Sequence, residues 1–226
     1  MKQILNKILL LLAVVACVAC SKDDDAPQIE SVWKNMISEP LEKTDYAYPG
    51  QTICLHGSAF YDLRKVFVNG TDIDLTTSFI YDTDNYITFQ LPTDVKTSIS
   101  EQQSYIRVIT AHGESVYRPF LVKPLSEKPE ITKFSTTQLT PGGILTITGQ
   151  NLDGVTEVLL PLTFNDQVAC ELDPATEPTA TSVSIIIPED ASFAKGKCVI
   201  VMQKTDATSG RTYTEKVYSS DTNFRN

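Results

Sequence analysis

The chain is written twice. Residues 48–60 align without a gap with residues 140–152 at an offset of 92, so that Pro49-Gly50 stands opposite Pro141-Gly142, Ile53 and Leu55 opposite Leu145 and Ile147, and Gly57 opposite Gly149. The match extends on both sides: Pro27-Gln28-Ile29 answers Pro129-Glu130-Ile131, Ile87 through Pro92 answers Val183 through Pro188, and Ile106-Arg107-Val108 answers Val199-Ile200-Val201. Repetition at this spacing means two copies of one folding unit rather than one large core. Each copy then has roughly 100 residues and can bury on the order of 60% of its surface.

Within each copy the apolar residues alternate with period two. Pro-Gly makes a turn, the strand after it sends alternate residues to the core, and Gly57 or Gly149 ends that strand where a side chain would obstruct the backbone. Short runs lie between Gly, Pro, Asn and Asp clusters, no 3.6-residue period is sustained, and the spacing suits about seven strands per copy. The predicted fold is all-β, with two tandem β-sandwiches at residues 27–123 and 129–218. Pro124 and Pro129 bracket and stiffen a short linker at 124–128, and residues 219–226 are expected to form a tail.

The motifs of each copy resemble the IPT/TIG immunoglobulin-like domain. Copy one carries Pro27-Gln28-Ile29, Pro49-Gly50, Gly57-Ser58-Ala59-Phe60, Val66-Phe67-Val68-Asn69-Gly70, Asp84-Asn85-Tyr86-Ile87 running into Pro92, and Gly113-Glu114-Ser115. Asn69-Gly70 is a hairpin signal on physical grounds alone. Copy two keeps Pro141-Gly142, Gly149-Gln150-Asn151-Leu152 and the strand into Pro188, but Leu160-Pro161-Leu162-Thr163-Phe164-Asn165 lacks the hairpin glycine. A different hairpin geometry is expected there.

The N-terminus reads as an address. Lys2 and Lys7 precede an apolar run over residues 8–16, which continues through Cys17-Val18-Ala19 to Cys20 and then switches to Ser21-Lys22-Asp23-Asp24-Asp25. Residues 1–19 have the layout of a signal peptide, and the run is shorter than the roughly 20 apolar residues of a spanning helix. Val18-Ala19-Cys20 resembles a bacterial lipobox, whose cysteine becomes the lipidated N-terminus, and Val15-Ala16-Cys17 also fits. Cys20 is preferred, leaving residues 20–26 as a lipidated cysteine and acidic tether. Serine, lysine and three aspartates in that place resemble the surface-export signal of Bacteroidota lipoproteins. The resemblance implies an outer-membrane lipid anchor facing the exterior, the alternative being a plain solvated linker.

The charge balance excludes one class of partner. With 28 acidic and 19 basic residues the formal charge is −9, and loss of residues 1–19 makes it −11, so phosphate neutralisation and hence nucleic-acid binding is not expected. Catalytic chemistry is scarce. His56 aligns with Thr148 on the strand face away from Ile53 and Leu55 and reads as a surface histidine, while His112 has no second His or Cys at metal-ligand spacing. No nucleophile motif, phosphate loop or facing carboxylate pair is present, so no enzyme, metal or cofactor is expected. Cys170 and Cys198 share copy two and either pair or stay free, whereas Cys54 is expected to be a free thiol.

The asymmetry between the copies is aromatic. Thirteen of 19 aromatic residues lie in copy one. Phe67 or Phe89 reads as core, but Tyr46, Tyr48, Phe60, Tyr61, Tyr81 and Tyr86 fall at predicted turns, and Trp33 lies in a segment longer than its counterpart in copy two. Flat rings at turns can stack on sugar faces while their O–H or N–H groups bond hydroxyls; packing at the sandwich ends is the alternative use. The layout resembles the surface glycan-binding lipoproteins of polysaccharide-utilisation systems, which implies a non-enzymatic capture of polysaccharide or oligosaccharide for a neighbouring outer-membrane transporter. Those proteins usually hold sugar in a separate C-terminal domain, which is not found before Asn226. A structural spacer or adhesion module that docks a protein partner and binds no glycan is the competing expectation.

Overall fold

The computed structural model describes residues 25–34, 42–98, 104–205, 210 and 212–226. The signal segment, Cys17 and Cys20 lie outside these residues. Among the described residues every element longer than a single 3-10 turn is a strand, and contacts divide the chain into two compact units with the boundary between Lys123 and Pro124.

The first unit contains β1 (Gln28–Lys34), β2 (Glu42–Lys43), β3 (Tyr46–Ala47), β4 (Thr52–Ser58), β5 (Leu63–Val68) and β6 (Thr71–Asp72). It continues with β7 (Phe79–Asp82), β8 (Tyr86–Gln90), β9 (Tyr105–Thr110), β10 (Gly113–Glu114), β11 (Arg118–Pro119) and β12 (Leu121–Val122). One sheet has the order β2-β1-β4-β8-β7; the other runs β10-β9-β5-β6, with β11 also on β9. Alternation explains the core. Val32, Ile53, Leu55, Ile87 and Phe89 from the first sheet meet Val66, Val68, Ile106 and Val108 from the second in one buried cluster.

The second unit contains β13 (Glu130–Phe134), β14 (Ile144–Gln150), β15 (Val155–Pro161), β16 (Gln167–Leu172) and β17 (Ser182–Ile186). β18 (Lys195–Gly196), β19 (Val199–Thr205), β20 (Thr212–Tyr218) and β21 (Thr222–Asn223) complete it. Here β16 pairs with both β15 and β17, joining the two halves into a sheet of order β13-β14-β17-β16-β15-β19-β20.

The repeated motifs fold alike. Gln51 donates its backbone N–H to Tyr48 O at 3.1 Å and Gly143 to Thr140 O at 2.9 Å, closing turns in which proline occupies the second position and Gly50 or Gly142 the third, at φ 81° and 68°. That is the glycine-requiring type II geometry. A Cβ on Gly57 would stand 1.8 Å from Gln28 O and 2.7 Å from the Phe60 ring; on Gly149 it would stand 2.0 Å from Glu130 O and 2.9 Å from Leu152. The neighbouring strand and the residue three positions on fill the space. Ala59 and Asn151, two residues beyond each glycine, are both left-handed at φ 57° and 53°, and the strands paired with β4 and β14 there, β1 and β13, bulge at the same place, after Ile29 and after Ile131.

The two hairpins diverge, as the missing glycine predicts. Asn69 and Gly70 both have positive φ and join β5 to β6 in a two-residue turn. Between β15 and β16 the loop is longer, Leu162 N–H bonds Asp166 O at 2.8 Å, and Phe164 takes the left-handed position at φ 67°.

Two sequence expectations, the C-terminal tail and the place of Phe67, need correction. Residues 219–226 are not a tail: β21 pairs with β18, Phe224 is buried in the second core, and the Asn226 side chain donates to Ala191 O and accepts from Phe193 N–H. Phe224 supplies apolar surface that the second unit would otherwise lack. The segment at 124–128 is ordered, as its bracketing prolines lead one to expect: Leu125–Glu127 form a 3-10 turn and the Asn151 amide donates to Ser126 O and Lys128 O at 2.8 and 3.0 Å. Phe67, read as possible core, points outward, since Val66 and Val68 on either side of it fill the interior. Cys54, Cys170 and Cys198 are all buried free thiols.

Candidate functional site

Seven aromatic residues were singled out as ring platforms, and the fold separates them. Tyr46, Tyr48 and Phe60 are 6%, 1% and 0% exposed and cannot offer a face to a ligand. Phe60 plugs the notch beside Gly57. Tyr46 lies edge-on to Tyr48 with centroids 6.0 Å apart, and the ammonium groups of Lys34 and Lys123 stand 3.6 and 4.5 Å from its ring centre. These rings close a sandwich end.

Trp33 and Tyr86 reach one outer face. On β4, Ile53 and Leu55 point inward, which sends Cys54 and His56 outward; the register then sets Ser31 and Tyr86 on either side of His56, and Trp33 and Thr88 on either side of Cys54. Two strands across and two residues along place the Trp33 and Tyr86 backbones about 12 Å apart. The Trp33 indole N–H donates to Ser31 Oγ at 2.8 Å, and Lys43 Nζ stands 5.2 Å from the ring. Tyr86, 38% exposed, packs at 4.9 Å against His56, whose Nδ1 is 3.3 Å from Glu30 Oε2. Beneath them Cys54 is fully buried, and burial raises its thiol pKa against a smaller opposing hydrogen bond with Thr88. His56, a surface position by its sequence alone, joins this face because it shares the outward register of Tyr86.

The remaining two candidates lie elsewhere. Tyr61 is half-buried in the turn before β5, 4.9 Å from the His112 ring, and His112 Nε2 is 3.2 Å from Asp62 Oδ2. Tyr81 is opposite Thr88 in the backbone register, and its side chain lies outside the described residues.

Sequence reading passed over a second cluster on the other sheet. Arg107 Cζ stands 4.9 Å from the Phe67 ring centre and 5.4 Å from that of Tyr117, and Tyr117 meets Tyr105 edge-on at 4.6 Å. The signal was available: Ile106 and Val108 occupy the inward positions of β9, so Tyr105 and Arg107 must face out. Among the described residues no group of three or more His, Cys, Asp or Glu is placed to hold a metal ion.

Two sheets over a shared core, strand-terminating glycine notches and type II Pro-Gly turns define an all-β protein of immunoglobulin-like, TIG-type fold. Residues 129–216 match the family model of the IPT/TIG domain. A curated protein of Bacteroides ovatus described as an IPT/TIG domain-containing protein is 27% identical over 157 residues, covering 67% of this chain and 31% of its own length. The chain thus spans about a third of that relative. The surface glycan-binding protein PbSGBP-B from Prevotella bryantii is similar in structure, with 18% identity, coverage of 84% of this chain and 41% of that one, and a TM-score of 0.37. A Bacteroides ovatus SGBP-B of a mixed-linkage glucan utilisation locus, solved with a heptasaccharide, shows 17% identity, coverage of 87% and 46%, and a TM-score of 0.33.

Proposed function

We propose that this chain is a lipid-anchored, non-enzymatic cell-surface binding protein that captures polysaccharide or oligosaccharide for a neighbouring outer-membrane uptake system. The observation that carries the reading is the convergence of Trp33 and Tyr86, 53 residues apart in sequence, on one outward sheet face. An indole and a phenol on a rigid sheet present flat apolar surface with polar edges, the combination that suits a sugar's C–H faces and hydroxyls. Anchoring rests on Cys20 and the acidic tract after it, and leaves the ligand-binding unit next to the membrane tether.

Affinity electrophoresis of the chain from Ser21 onward, which retains every described residue, against plant, host and microbial polysaccharides tests the reading. Retardation by at least one, weakened by Trp33→Ala or Tyr86→Ala at unchanged stability, is expected. Mobility unaltered across the panel rejects it in favour of the spacer reading, which the burial of Tyr46, Tyr48 and Phe60 favours. For the anchor, Cys20→Ser abolishes acyl labelling in cells; loss of label only in Cys17→Ser moves the cleavage site.

A further inference from the structure

We infer a second saccharide-contact surface on the opposite sheet of the first unit, formed by Phe67, Arg107, Tyr117 and Tyr105 and suited to an uncharged glycan chain. It rests on the glycan reading and adds to it a second face and a ligand class.

The rings are outside the interior: none of Phe67, Tyr105 or Tyr117 belongs to the buried cluster, and Tyr117 is 55% exposed. They nevertheless form one ordered strip. Phe67 and Arg107 are direct cross-strand neighbours, and the Arg107 guanidinium is shared between Phe67 on one side and Tyr117 on the other, each within cation–π range. Its Nη1 donates to Glu114 Oε2 at 3.0 Å and to Tyr117 Oη at 3.4 Å. Arg107 Nε is sealed from solvent without a hydrogen-bond partner among the described residues. Burying a donor unpaired is costly, and the stacked faces on the guanidinium offset that cost without adding to the core. At the far end the Tyr105 backbone N–H donates to Asn69 Oδ1 at 3.0 Å at the β5–β6 hairpin, and the Tyr105 ring is held edge-on against Tyr117 at 4.6 Å. Ring orientation is therefore set before any ligand arrives, which lowers the ordering cost of binding.

Charge selects the ligand class. Among the described residues the two cations that stand over the Phe67 ring are matched, Arg107 by Glu114 and Lys65, 5.6 Å from the ring centre, by Asp72 at 2.6 Å, so neither is left over to offset a sulfate, uronate or phosphate. The chain as a whole carries −9 and repels anions at longer range. Amphipathic rings with compensated charges fit a neutral chain of hydroxyls and C–H faces.

The test compares the chain from Ser21 onward with Tyr105→Ala, Tyr117→Ala and the double variant on hydroxyethylcellulose, glucomannan and, as the acidic counterpart, polygalacturonate. Expected are retention on a neutral polymer and none on polygalacturonate, with each tyrosine variant binding the neutral polymer roughly 3- to 10-fold more weakly at an unchanged urea midpoint. Retention that persists undiminished in the double variant but falls in Trp33→Ala overturns this surface and leaves the glycan reading in place. Preference for polygalacturonate overturns the ligand class. Absence of retention on every polymer by the unsubstituted chain rejects the glycan reading itself, and a protein partner lost with Tyr117→Ala would then mark the strip as a protein-docking surface.

Discussion

Replacing Gly149 by alanine puts the notch geometry to a quantitative test. The added Cβ would stand 2.0 Å from Glu130 O, about 1.4 Å inside the 3.4 Å of ordinary contact, and 2.9 Å from the Leu152 side chain. Leucine can rotate; a carbonyl in a strand ladder cannot. The β13–β14 pair must part near Ile131 and Gly149, giving up one or two ladder hydrogen bonds in addition to the overpacking. Overpacking at about 1–3 kcal/mol and hydrogen bonds at about 1 kcal/mol each put the loss near 3–4 kcal/mol. At roughly 4–8 °C per kcal/mol for a unit of this size, the melting temperature of the second unit drops by about 12–32 °C while that of the first is unchanged. Gly142→Ala is the control, because its Cβ meets only Glu189 Oε1 at 3.5 Å and the substitution suffers only from the positive φ of 68°, about 1 kcal/mol. Calorimetry or urea unfolding of the chain from Ser21 onward reads both. Equal losses in Gly149→Ala and Gly142→Ala would falsify the steric argument.

Three further outcomes follow from named contacts. Burial pushes the Cys170 thiol up to about 11 and the Cys198 thiol up to about 12, from an ordinary 9.0. Both thiols are protonated in folded and unfolded chain below pH 9, so their contribution is intact there; above it the unfolded thiols ionise first, and the urea midpoint of the second unit should fall between pH 9 and pH 12. A midpoint that is flat over that window in the wild type, or equally steep in a Cys170→Ala, Cys198→Ala variant, refutes this origin. Phe164 is 100% exposed and left-handed, so Phe164→Gly should raise the stability of the second unit by about 1 kcal/mol; a loss in urea unfolding shows that the ring is needed. Asn69, left-handed at φ 49°, donates to Lys96 O and Ser98 Oγ and accepts from Tyr105 N–H, each at 3.0 Å. Asn69→Ala should lower the stability of the first unit by about 2–3 kcal/mol, and a change under 1 kcal/mol would show that these bonds are replaced by water.

The all-β fold was legible because its signals are backbone requirements. Gly57 and Gly149 sit where a carbonyl occupies the space of a Cβ, Pro49-Gly50 and Pro141-Gly142 make the same turn, and Asn69-Gly70 makes the hairpin. The ring positions were harder to read. Turn chemistry marks Tyr46, Tyr48 and Phe60 as surface, yet a sandwich has open ends and bulky rings from its turns fill them. Phe67 misled for the opposite reason: in the run Val66-Phe67-Val68 all three residues are apolar, and only the cross-strand partner Arg107 reveals which face the middle one takes. The parallel pair of β3 with β12 had no sequence signal, since two-residue strands carry no period. Trp33 and Tyr86 were singled out one by one, but their shared face depends on the register of β4 between them.

The locking of the last eight residues into the second unit governs the order in which the molecule can assemble. Phe224 lies in that core, and Arg225 exchanges backbone hydrogen bonds with Thr137 and Leu139 near the opposite end of the unit's sequence. During synthesis the first unit can close as soon as Lys123 has emerged, whereas the second must hold β13 to β20 unsealed until residues 222–226 follow. A fragment cut at the family boundary near residue 216 would stay in that waiting state, with strand edges and apolar surface open to other chains.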